Sequence, residues 1–564
     1  MDTNALKPFA WSRRSAIASA LLAPLVAPFI ITACKSDKQI TGNFTGTSPA
    51  RGHQLRSPAA AAVPSKTHRV HTLIAGGGVA GLSAARALRL QGMEDFAVLE
   101  LEDAAGGNAR SGAIAGMAHP LGAHYLPVPT DSAPEVQDFL EELGLRQRVA
   151  GRWQYDERHL CHSPQERLFF NGVWQDGLLP LQGVGQSTLA QYAHFAALVE
   201  QWRNTGLFRI PVRKMTVASA EYAQLAIHFA AYLDVQGLTD PHLRWYLDYC
   251  CRDDYGAGTG AVSTWAGLHY FAARHGFHVP GESDTEPKDG VLTWPEGNAH
   301  FTHALAKPLG DRVKTGHLIL RIEEARDGVT VDALNMQTQA IERWQAARCI
   351  VALPVFIAHR VVVNPPIFLH DAAQRTTYSS WLVANIHINA PLHDTPGAAP
   401  SWDNVVYGQT QSLGYVDAMH QSTRIAPGSS VLTYYRALGS DVQARRDLLA
   451  KSWVQHRDEA LADLAAPHPD IYQRAVHVDI TRYGHAMAVP TPDFVLKNPW
   501  RLSGPDVLSP VKLSPAARLQ HPYGFNYQTL PTPSTTRLRF AHSDWSGYSV
   551  FEEAFTRGLH AGLL

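Results

Sequence analysis

Gly76, Gly78 and Gly81 have the Gly-x-Gly-x-x-Gly spacing by which a strand-to-helix turn binds a pyrophosphate. They follow an apolar segment at residues 69–75 and precede a helix-like stretch at residues 82–90. Gly76 permits the tight turn, Gly78 lets the backbone approach the phosphates, and Gly81 lets the helix pack against the strand. The helix N-terminus then directs amide groups and a partial positive charge at the phosphates. The pattern predicts a dinucleotide-binding βαβ unit.

Glu100 supplies the acidic residue that such a unit requires. A second strand is predicted over residues 96–100 and ends in Glu100, about 20 positions after the last glycine. A carboxylate at this place accepts hydrogen bonds from the adenosine ribose. Strand, turn, helix, strand and acid occur in the order that an α/β fold of the Rossmann type needs.

The rest of the chain is long enough to position this unit within a large protein. It has 564 residues, of which 45% are hydrophobic and 18% charged, and a chain of this length is expected to form two domains. Lys and Arg number 49 against 50 Asp and Glu, so no excess positive charge favours nucleic acid as a partner. The five cysteines are too few and scattered for a disulfide scaffold, and His300 and His303 lack a third ligand at zinc-site spacing. We therefore predict no metal site.

The first 34 residues have the marks of an export signal. Arg13 and Arg14 precede an apolar run at residues 16–33, which ends directly before Cys34. The arginine pair resembles a twin-arginine signal and the end of the run resembles a lipobox, which predicts a periplasmic protein lipid-anchored at Cys34. An uncleaved membrane anchor remains the alternative. Residues 35–68 are rich in Ser, Thr, Gly, Pro and Ala without an apolar period, and we expect them to form a flexible tether.

Several segments spread along the chain resemble the flavin-containing amine oxidase superfamily, which includes monoamine and polyamine oxidases, protoporphyrinogen oxidase and phytoene-desaturase-like enzymes. The glycine pair at residues 106–107 follows Glu100, the segment 294–298 precedes a helix-like run, and residues 538–558 are similar to the family's C-terminal signature. The resemblance implies bound FAD. It also implies that the last helix directs its N-terminus at the flavin ring.

The resemblance assigns cofactor contacts residue by residue. Asn108 stands where relatives have Arg, with Arg110 as a substitute phosphate partner, and Ser543 replaces a glycine before Asp544. Together with the glycine turn, the residues expected to contact FAD are Gly76, Gly78, Val79, Ala80, Gly81, Glu100, Leu101, Gly106, Gly107, Asn108, Arg110, Gly122, Ala123, His124, Tyr125, Ile319, Asp544, Ser549, Val550 and Phe551.

The spread of these segments predicts a discontinuous fold. We expect an α/β, glutathione-reductase-like FAD domain of the Rossmann type and a second, α+β substrate domain. The FAD domain would contain residues 69–150, 290–355 and 501–564. The substrate domain would contain residues 151–289 and 356–500.

The residues expected to act on the substrate are less clearly marked. Amine oxidases of this superfamily usually carry a lysine near flavin N5, but the strand at residues 381–388 has none, which leaves Asn385 or His387 for that position. Residues 480–490 resemble a segment that relatives place over the active site, so Tyr483 and His485 are candidates to face the flavin. The charged and aromatic block at residues 249–258 is expected to line the substrate channel, with Cys250 and Cys251 as buried thiols.

Three functions follow from the resemblance. The first is an amine oxidase-like oxidoreductase that removes a hydride, typically from a carbon next to nitrogen, and passes electrons to oxygen or a membrane acceptor. The second is a carotenoid- or porphyrinogen-type desaturase, which stays open because the strand lacks the lysine. The third is a flavin-bearing lipoprotein without catalysis that carries electrons or scaffolds a partner.

Overall fold

The computed structural model describes residues 39–56, 63–161, 165–215, 219–274, 276–279, 290–423, 426–497, 509–510, 528–529 and 532–563. Ile40–Leu564 form one compact unit. The predicted export signal, with Arg13, Arg14 and Cys34, lies outside the described residues. Within the described ranges, no helix is both long enough and apolar enough to cross a membrane.

The elements are numbered in chain order. The strands are β1 (Lys66–Ala75), β2 (Phe96–Leu99), β3 (Ser111–Ile114), β4 (Met117–Pro120), β5 (Tyr125–Pro127), β6 (Arg146–Val149), β7 (Arg152–Tyr155), β8 (Leu160–Cys161), β9 (Glu166–Phe170), β10 (Val173–Asp176), β11 (Val291–Thr293), β12 (Val313–Lys314), β13 (His317–Glu324), β14 (Val329–Asn335), β15 (Ile341–Val351), β16 (Thr377–Ile388), β17 (Asp403–Val406), β18 (Ser412–Asp417), β19 (Ser430–Ala437), β20 (Ala475–Val489), β21 (Ser509–Pro510), β22 (Gln528–Thr529) and β23 (Leu538–Phe540). The helices are α1 (Pro49–His53), α2 (Val79–Leu90), α3 (Pro134–Glu142), α4 (Gln186–Arg203), α5 (Ser219–Gln224), α6 (Phe229–Val235), α7 (Pro241–Tyr255), α8 (Thr264–Ala272), α9 (Ala299–Ala306), α10 (Val355–Val361), α11 (Ile367–Arg375), α12 (Val442–Ala450), α13 (Trp453–Leu464), α14 (Ile471–Arg474), α15 (Pro492–Lys497) and α16 (Phe551–Leu563).

The first large sheet has the order β12-β2-β1-β15-β14-β13, and β23 also pairs with β15. Strands β12, β2, β1, β15 and β23 run parallel, whereas β13, β14 and β15 pair antiparallel. Leu73, Ile74 and Ala75 of β1 are fully buried, as expected for a parallel strand with both faces covered. Helices α2 and α16 pack on one face of the sheet and α10 and α11 on the other. This doubly covered parallel core is the Rossmann-type unit that the glycine pattern predicts.

The predicted end of the FAD domain at residue 355 falls inside this core. Val355, Ala358 and Val361 of α10 and Leu369 of α11 pack in the same hydrophobic cluster as Phe540 of β23. Residues 355–375 therefore belong with the dinucleotide sheet and not with the substrate part. The FAD-binding part therefore continues past the end of β15, because the apolar faces of α10 and α11 pack on its sheet.

The second large sheet has the order β10-β9-β17-β18-β19-β16-β20. Alternate residues of β16 face opposite layers, as strand geometry requires. Trp381 and Val383 face the cluster that contains α4 to α8, whereas Leu382 and Ala384 face the cluster that contains α12 to α14. The sheet thus separates two helical layers, and one of its faces is directed at the substrate region.

Part of the segment that was expected to be a flexible tether packs against the protein. Residues 40–56 lie against the body of the protein: Thr41 and Phe44 form bridges to His477 and Ile480 of β20, and β1 begins at Lys66. The amino-acid composition does not predict that this segment is ordered. Main-chain hydrogen bonds to β20 hold it in place, and such bonds do not require an apolar period in the sequence.

Candidate functional site

A cavity of about 340 Å³ opens at the carboxyl ends of β1, β2 and β15, and we call it the dinucleotide cavity. In parallel α/β sheets this edge is where nucleotides bind. The residues expected to contact FAD that line it are Gly76, Gly78, Val79, Ala80, Glu100, Leu101, Gly106, Gly107, Asn108, Ala123, Ile319, Asp544, Ser549, Val550 and Phe551. They come from the start, middle and end of the chain, and the fold brings them to one wall.

The glycines of the turn allow backbone contacts that a side chain would block. A Cβ on Gly76, whose φ is +103°, would lie 2.4 Å from the Ala352 carbonyl oxygen, and one on Gly81 would lie 1.9 Å from the Gly76 carbonyl oxygen. A Cβ on Gly107 would lie 3.2 Å from the Gly78 Cα. The two glycine-rich loops therefore pack against each other with bare backbone, and a pyrophosphate in the cavity could approach both loops without meeting a side chain.

Glu100 is held in place by two backbone amides. Its Oε2 accepts a hydrogen bond from the Gly77 amide at 2.9 Å, and its Oε1 accepts one from the Glu102 amide at 2.9 Å. Burial raises the pKa of Glu100, while these amide donors and the nearby Arg110 act in the opposite direction. Each carboxylate oxygen has a second lone pair, so the group can still accept hydrogen bonds from ribose hydroxyls.

Asp544 is fixed at the opposite end of the same wall. Its Oδ2 accepts hydrogen bonds from the Val355 amide at 2.9 Å and the Tyr378 hydroxyl at 2.5 Å, and His542 lies 3.1 Å from Oδ1. Burial acts to raise the pKa of Asp544, but His542 and these hydrogen bonds lower it on balance. The carboxylate is therefore ionised and oriented beside the N-terminus of α16.

Two of the expected cofactor contacts, Gly81 and Arg110, do not line the dinucleotide cavity. Gly81 serves the packing of α2. The Arg110 guanidinium donates to the carbonyl oxygens of Gly107 at 2.9 Å and Gly46 at 3.1 Å. It supports the glycine pair from behind, so the position of Arg110 does not favour the phosphate contact proposed for it.

A second cavity of about 140 Å³ adjoins the first, and we call it the aromatic cavity. It is lined by Gly122, His124 and Tyr125, which were expected to contact the flavin. The two cavities share the lining residues Asn108, Ala123, Asn298, Ala486, Ser549, Val550 and Phe551. A ligand in the dinucleotide cavity would therefore meet a second ligand at this common wall.

Aromatic rings form much of the second cavity. Tyr435 and Tyr483 donate their hydroxyls to the carbonyl oxygens of Gly122 at 2.9 Å and Leu121 at 2.8 Å. The His124 ring stacks on Tyr435 with centroids 4.5 Å apart, and burial lowers the pKa of His124 to about 3. The imidazole is therefore neutral at physiological pH, and the two phenols are committed to holding the backbone of the loop before β5.

Three carboxyl groups and one guanidinium line the aromatic cavity. Arg274 pairs with both oxygens of Asp254, each at 3.2 Å, and the Tyr548 hydroxyl lies 2.7 Å from Asp254. Asp253 accepts a hydrogen bond from the Tyr125 hydroxyl at 3.4 Å. Burial, with Asp254 beside it, raises the pKa of Asp253 to about 7. Burial also raises the pKa of Glu552 to about 7.

The four predicted catalytic residues are not brought together. Asn385 is fully buried and accepts a hydrogen bond from the Thr433 hydroxyl at 2.8 Å, and neither Asn385 nor His387 lines the dinucleotide cavity or the aromatic cavity. The cavity side of β16 is formed by Trp381 and Val383, because the two candidates lie further along the strand. Their positions therefore do not favour the role of the missing lysine.

The other two candidates lie in different cavities. Tyr483 lines the aromatic cavity, but its hydroxyl is engaged with Leu121, so only its ring faces the ligand space. His485 lines the dinucleotide cavity and stacks on Phe356 with centroids 4.5 Å apart. Burial and the neighbouring Arg445 lower the pKa of His485 to about 4, which leaves it neutral.

Some cavity residues were visible in the sequence and others were not. The block at residues 249–258 was expected to line the channel, and it supplies Asp253 and Asp254, whereas Cys250 and Cys251 are buried in the core. Arg274, Tyr435 and Glu552 were missed. For Arg274, the sequence offered one weak indication, namely a basic residue downstream of the acidic pair Asp253 and Asp254. For Tyr435 it offered none, because only the strand order of the second sheet places β19 beside the aromatic cavity.

The residues present fit FAD. The glycine loops present bare backbone to the dinucleotide cavity, and the shared wall offers Asn298, a buried residue whose Oδ1 has no hydrogen-bond partner in the described protein. Since an unpaired buried acceptor is costly, a bound cofactor that donates to it would remove the cost. Glu100 and Asp544 would then hold the ribose and the ribityl or phosphate region.

Comparison with known proteins agrees with this arrangement. The family model described as "Flavin containing amine oxidoreductase" matches residues 79–561. The human protein "Amine oxidase [flavin-containing] B" is 22% identical over 316 residues, which is 53% of this chain and 53% of that protein. The chain thus matches about half the length of this curated relative.

Solved structures share the fold at low sequence identity. A putrescine oxidase bound to putrescine superposes with a TM-score of 0.61 at 17% identity, covering 88% of this chain and 98% of that chain. Cyclohexylamine oxidase from Brevibacterium oxydans IH-35A gives a TM-score of 0.55 at 16% identity, covering 87% and 98%. A fatty acid isomerase from P. acnes gives 0.56 at 13% identity, covering 87% and 97%. With the family model matched over most of its length, the chain belongs to the flavin-containing amine oxidoreductase family.

Proposed function

We propose that the protein is an FAD-dependent amine oxidase that acts on a cationic amine. The observation that carries the proposal is the charge of the aromatic cavity, which lies against the dinucleotide cavity. Asp254 is neutralised by Arg274, but in the part of the chain that the structure describes neither Asp253 nor Glu552 has an ion-pair partner. A buried carboxylate without a partner is unfavourable, and an ammonium ligand would supply one.

The raised pKa values fit the handling of an amine. A carboxyl group with a pKa of about 7, as in Asp253 and Glu552, is ionised in part at neutral pH and can pair with an ammonium group. The same group can accept a proton, because a general base works best when its pKa is near the operating pH. The amine must lose its proton before its carbon can be oxidised, so these carboxylates both bind the substrate and activate it.

The other residues of the cavity orient the substrate. Bound FAD supplies the chemistry by accepting a hydride from the carbon next to nitrogen. The rings of Tyr435, Tyr483 and Trp381 offer faces that attract a cation, and neutral His124 does not repel it. The small cavity and its aromatic walls exclude water from the reacting carbon.

A neutral lipophilic substrate suits this cavity less well. A polyene or porphyrinogen would leave the buried Asp253 and Glu552 without a cationic partner. The cavity side of β16 carries Val383 and no lysine. The carboxyl groups of Asp253 and Glu552 could instead serve as the base that amine oxidation needs. The charge of the cavity therefore favours C–N oxidation over desaturation.

Anaerobic titration of the purified holoprotein tests the proposal. Primary amines such as cyclohexylamine or putrescine should bleach the flavin absorption band, whereas polyenes and porphyrinogens should not. Bleaching only by the latter would favour the desaturase, and bleaching by neither would contradict both enzymatic functions and favour the electron carrier. Reoxidation by air, compared with reoxidation by a quinone, then distinguishes oxygen from a membrane acceptor.

We further propose that the protein is exported through a twin-arginine signal and anchored by lipid at Cys34. The support is the order of Arg13, Arg14, the apolar run and Cys34; twin-arginine export carries folded cargo, which suits a protein that binds FAD. Replacing both arginines by lysine should retain the protein in the cytoplasm, and Cys34→Ser should abolish labelling by radioactive fatty acid. Export that is unchanged in the lysine variant would contradict the first part.

A further inference from the structure

Residues 40–56, which we call the N-terminal strap, run from the second sheet to the dinucleotide cavity. The first half follows β20: the Thr45 amide donates to the Ile480 carbonyl oxygen at 2.9 Å, and the Val478 amide donates to the Thr41 carbonyl oxygen at 2.8 Å. The Phe44 ring lies 3.5 Å from the Arg482 guanidinium carbon. The first half of the strap therefore pairs in parallel with β20, the edge strand of the second sheet.

The second half of the strap contacts the residues that follow Glu100. The Ser48 amide donates to Glu102 at 3.0 Å, and Arg51 lies 2.8 Å from Asp103 and donates to the Leu101 carbonyl oxygen at 3.4 Å. The Gly46 carbonyl oxygen accepts from Arg110, the residue that supports the glycine pair. The strap is thus linked to both loops that frame the ribose and pyrophosphate space.

The end of the strap forms part of the cavity itself. Gly52 and Leu55 line the dinucleotide cavity, and Arg360 of α10 donates to the Leu55 carbonyl oxygen at 2.6 Å and 3.0 Å. This contact joins the end of the strap to α10 at the rim of the cavity. Removing the strap would expose the cavity wall that contains Leu101.

We propose that the N-terminal strap is a cofactor-binding element that closes the adenosine side of the FAD site, so that FAD leaves only when the strap detaches. The inference rests on FAD as the cofactor, but not on the identity of the substrate. The strap makes no contact that the chemistry needs; its role is to retain the cofactor through main-chain pairing with β20 and through Arg51.

Two glycines provide a matched test. A Cβ on Gly42, whose φ is +149°, would lie 1.8 Å from the Val478 carbonyl oxygen, so Gly42→Ala must displace the strap from β20. Gly172, with a φ of +81°, has no heavy atom within 4 Å of the same position, so Gly172→Ala adds a side chain at a positive φ without affecting the strap. Arg51→Ala removes the contacts near Leu101 without backbone strain.

The measurement is the rate of FAD release from the holoprotein, followed by the recovery of flavin fluorescence after dilution. We expect release at least tenfold faster in Gly42→Ala, severalfold faster in Arg51→Ala, and unchanged in Gly172→Ala. Equal rates in all three variants and the unaltered protein would overturn the proposal. If Gly42→Ala does not fold, Arg51→Ala alone decides. Unaltered protein that contains no flavin would instead contradict the cofactor assignment.

Discussion

Replacing Asp253 by asparagine is expected to raise the free energy of unfolding and, at the same time, to lower the activity on amines. Burial raises the pKa of this carboxyl from 3.8 to about 7 in the folded protein. Between these values the unfolded chain is ionised while the folded chain still holds the proton, so stability is lost as the pH rises from about 4 to about 7. At about 1.4 kcal/mol per pKa unit, the loss at pH 8 amounts to at most about 4 kcal/mol. Asparagine keeps the shape and removes the charge.

The same substitution removes the proposed partner of the ammonium group. Truncating one member of a buried charge pair typically costs about 2–5 kcal/mol, so kcat/KM for a cationic amine should fall by a factor of about 30 to 1,000 or more. Binding of an uncharged alcohol of the same shape should change little, because it never used the charge.

Urea unfolding of the substrate-free holoprotein at pH 4 and pH 8 measures the first effect, and steady-state kinetics with the amine measures the second. Asp234→Asn is the matched control, because that carboxylate is largely exposed and pairs with Arg244 at the surface. A gain in the free energy of unfolding that is the same at both pH values, or no gain at pH 8, would refute the electrostatic argument.

Three further outcomes are expected. Glu100→Gln should weaken FAD binding by a factor of about 5 to 150, because the side-chain NH2 group cannot accept a hydrogen bond and one ribose hydroxyl loses its acceptor; flavin fluorescence titration checks this, with exposed Glu94→Gln as the control. Gly558→Ala should lower the urea midpoint, since its Cβ would lie 2.0 Å from the Ala80 carbonyl oxygen, whereas Gly260→Ala, with no atom within 4 Å, should not. KM for the amine should fall as the pH rises through about 7, where Asp253 and Glu552 ionise; a pH-independent KM would contradict their role.

The glycine turn and Glu100 were predictable because the constraints on them are local. A strand, a tight turn and a helix follow one another within a short stretch of sequence, and each glycine has a steric reason that can be read without knowing the rest of the fold. The C-terminal wall with Asp544 was predictable only through the family resemblance, since nothing local links it to the glycines. Both segments do line one cavity.

The catalytic candidates could not be predicted in the same way. Val383 and Asn385 lie on the same face of β16, so the sequence pattern does not distinguish them. The aromatic cavity extends along the strand as far as Val383 and does not reach Asn385. The strap was missed for a different reason. Its order comes from main-chain pairing with an edge strand, and composition carries no trace of that pairing.

The pairing of β15 with strands from both ends of the chain determines when, during synthesis, the flavin site can form. This strand pairs with β1 from the beginning of the chain and with β23 from residues 538–540, and α16 completes the cofactor wall. A ribosome must therefore synthesise the segment up to residue 563 before any high-affinity flavin site exists. Nascent or prematurely terminated chains should be colourless, so flavin content reports on completed synthesis.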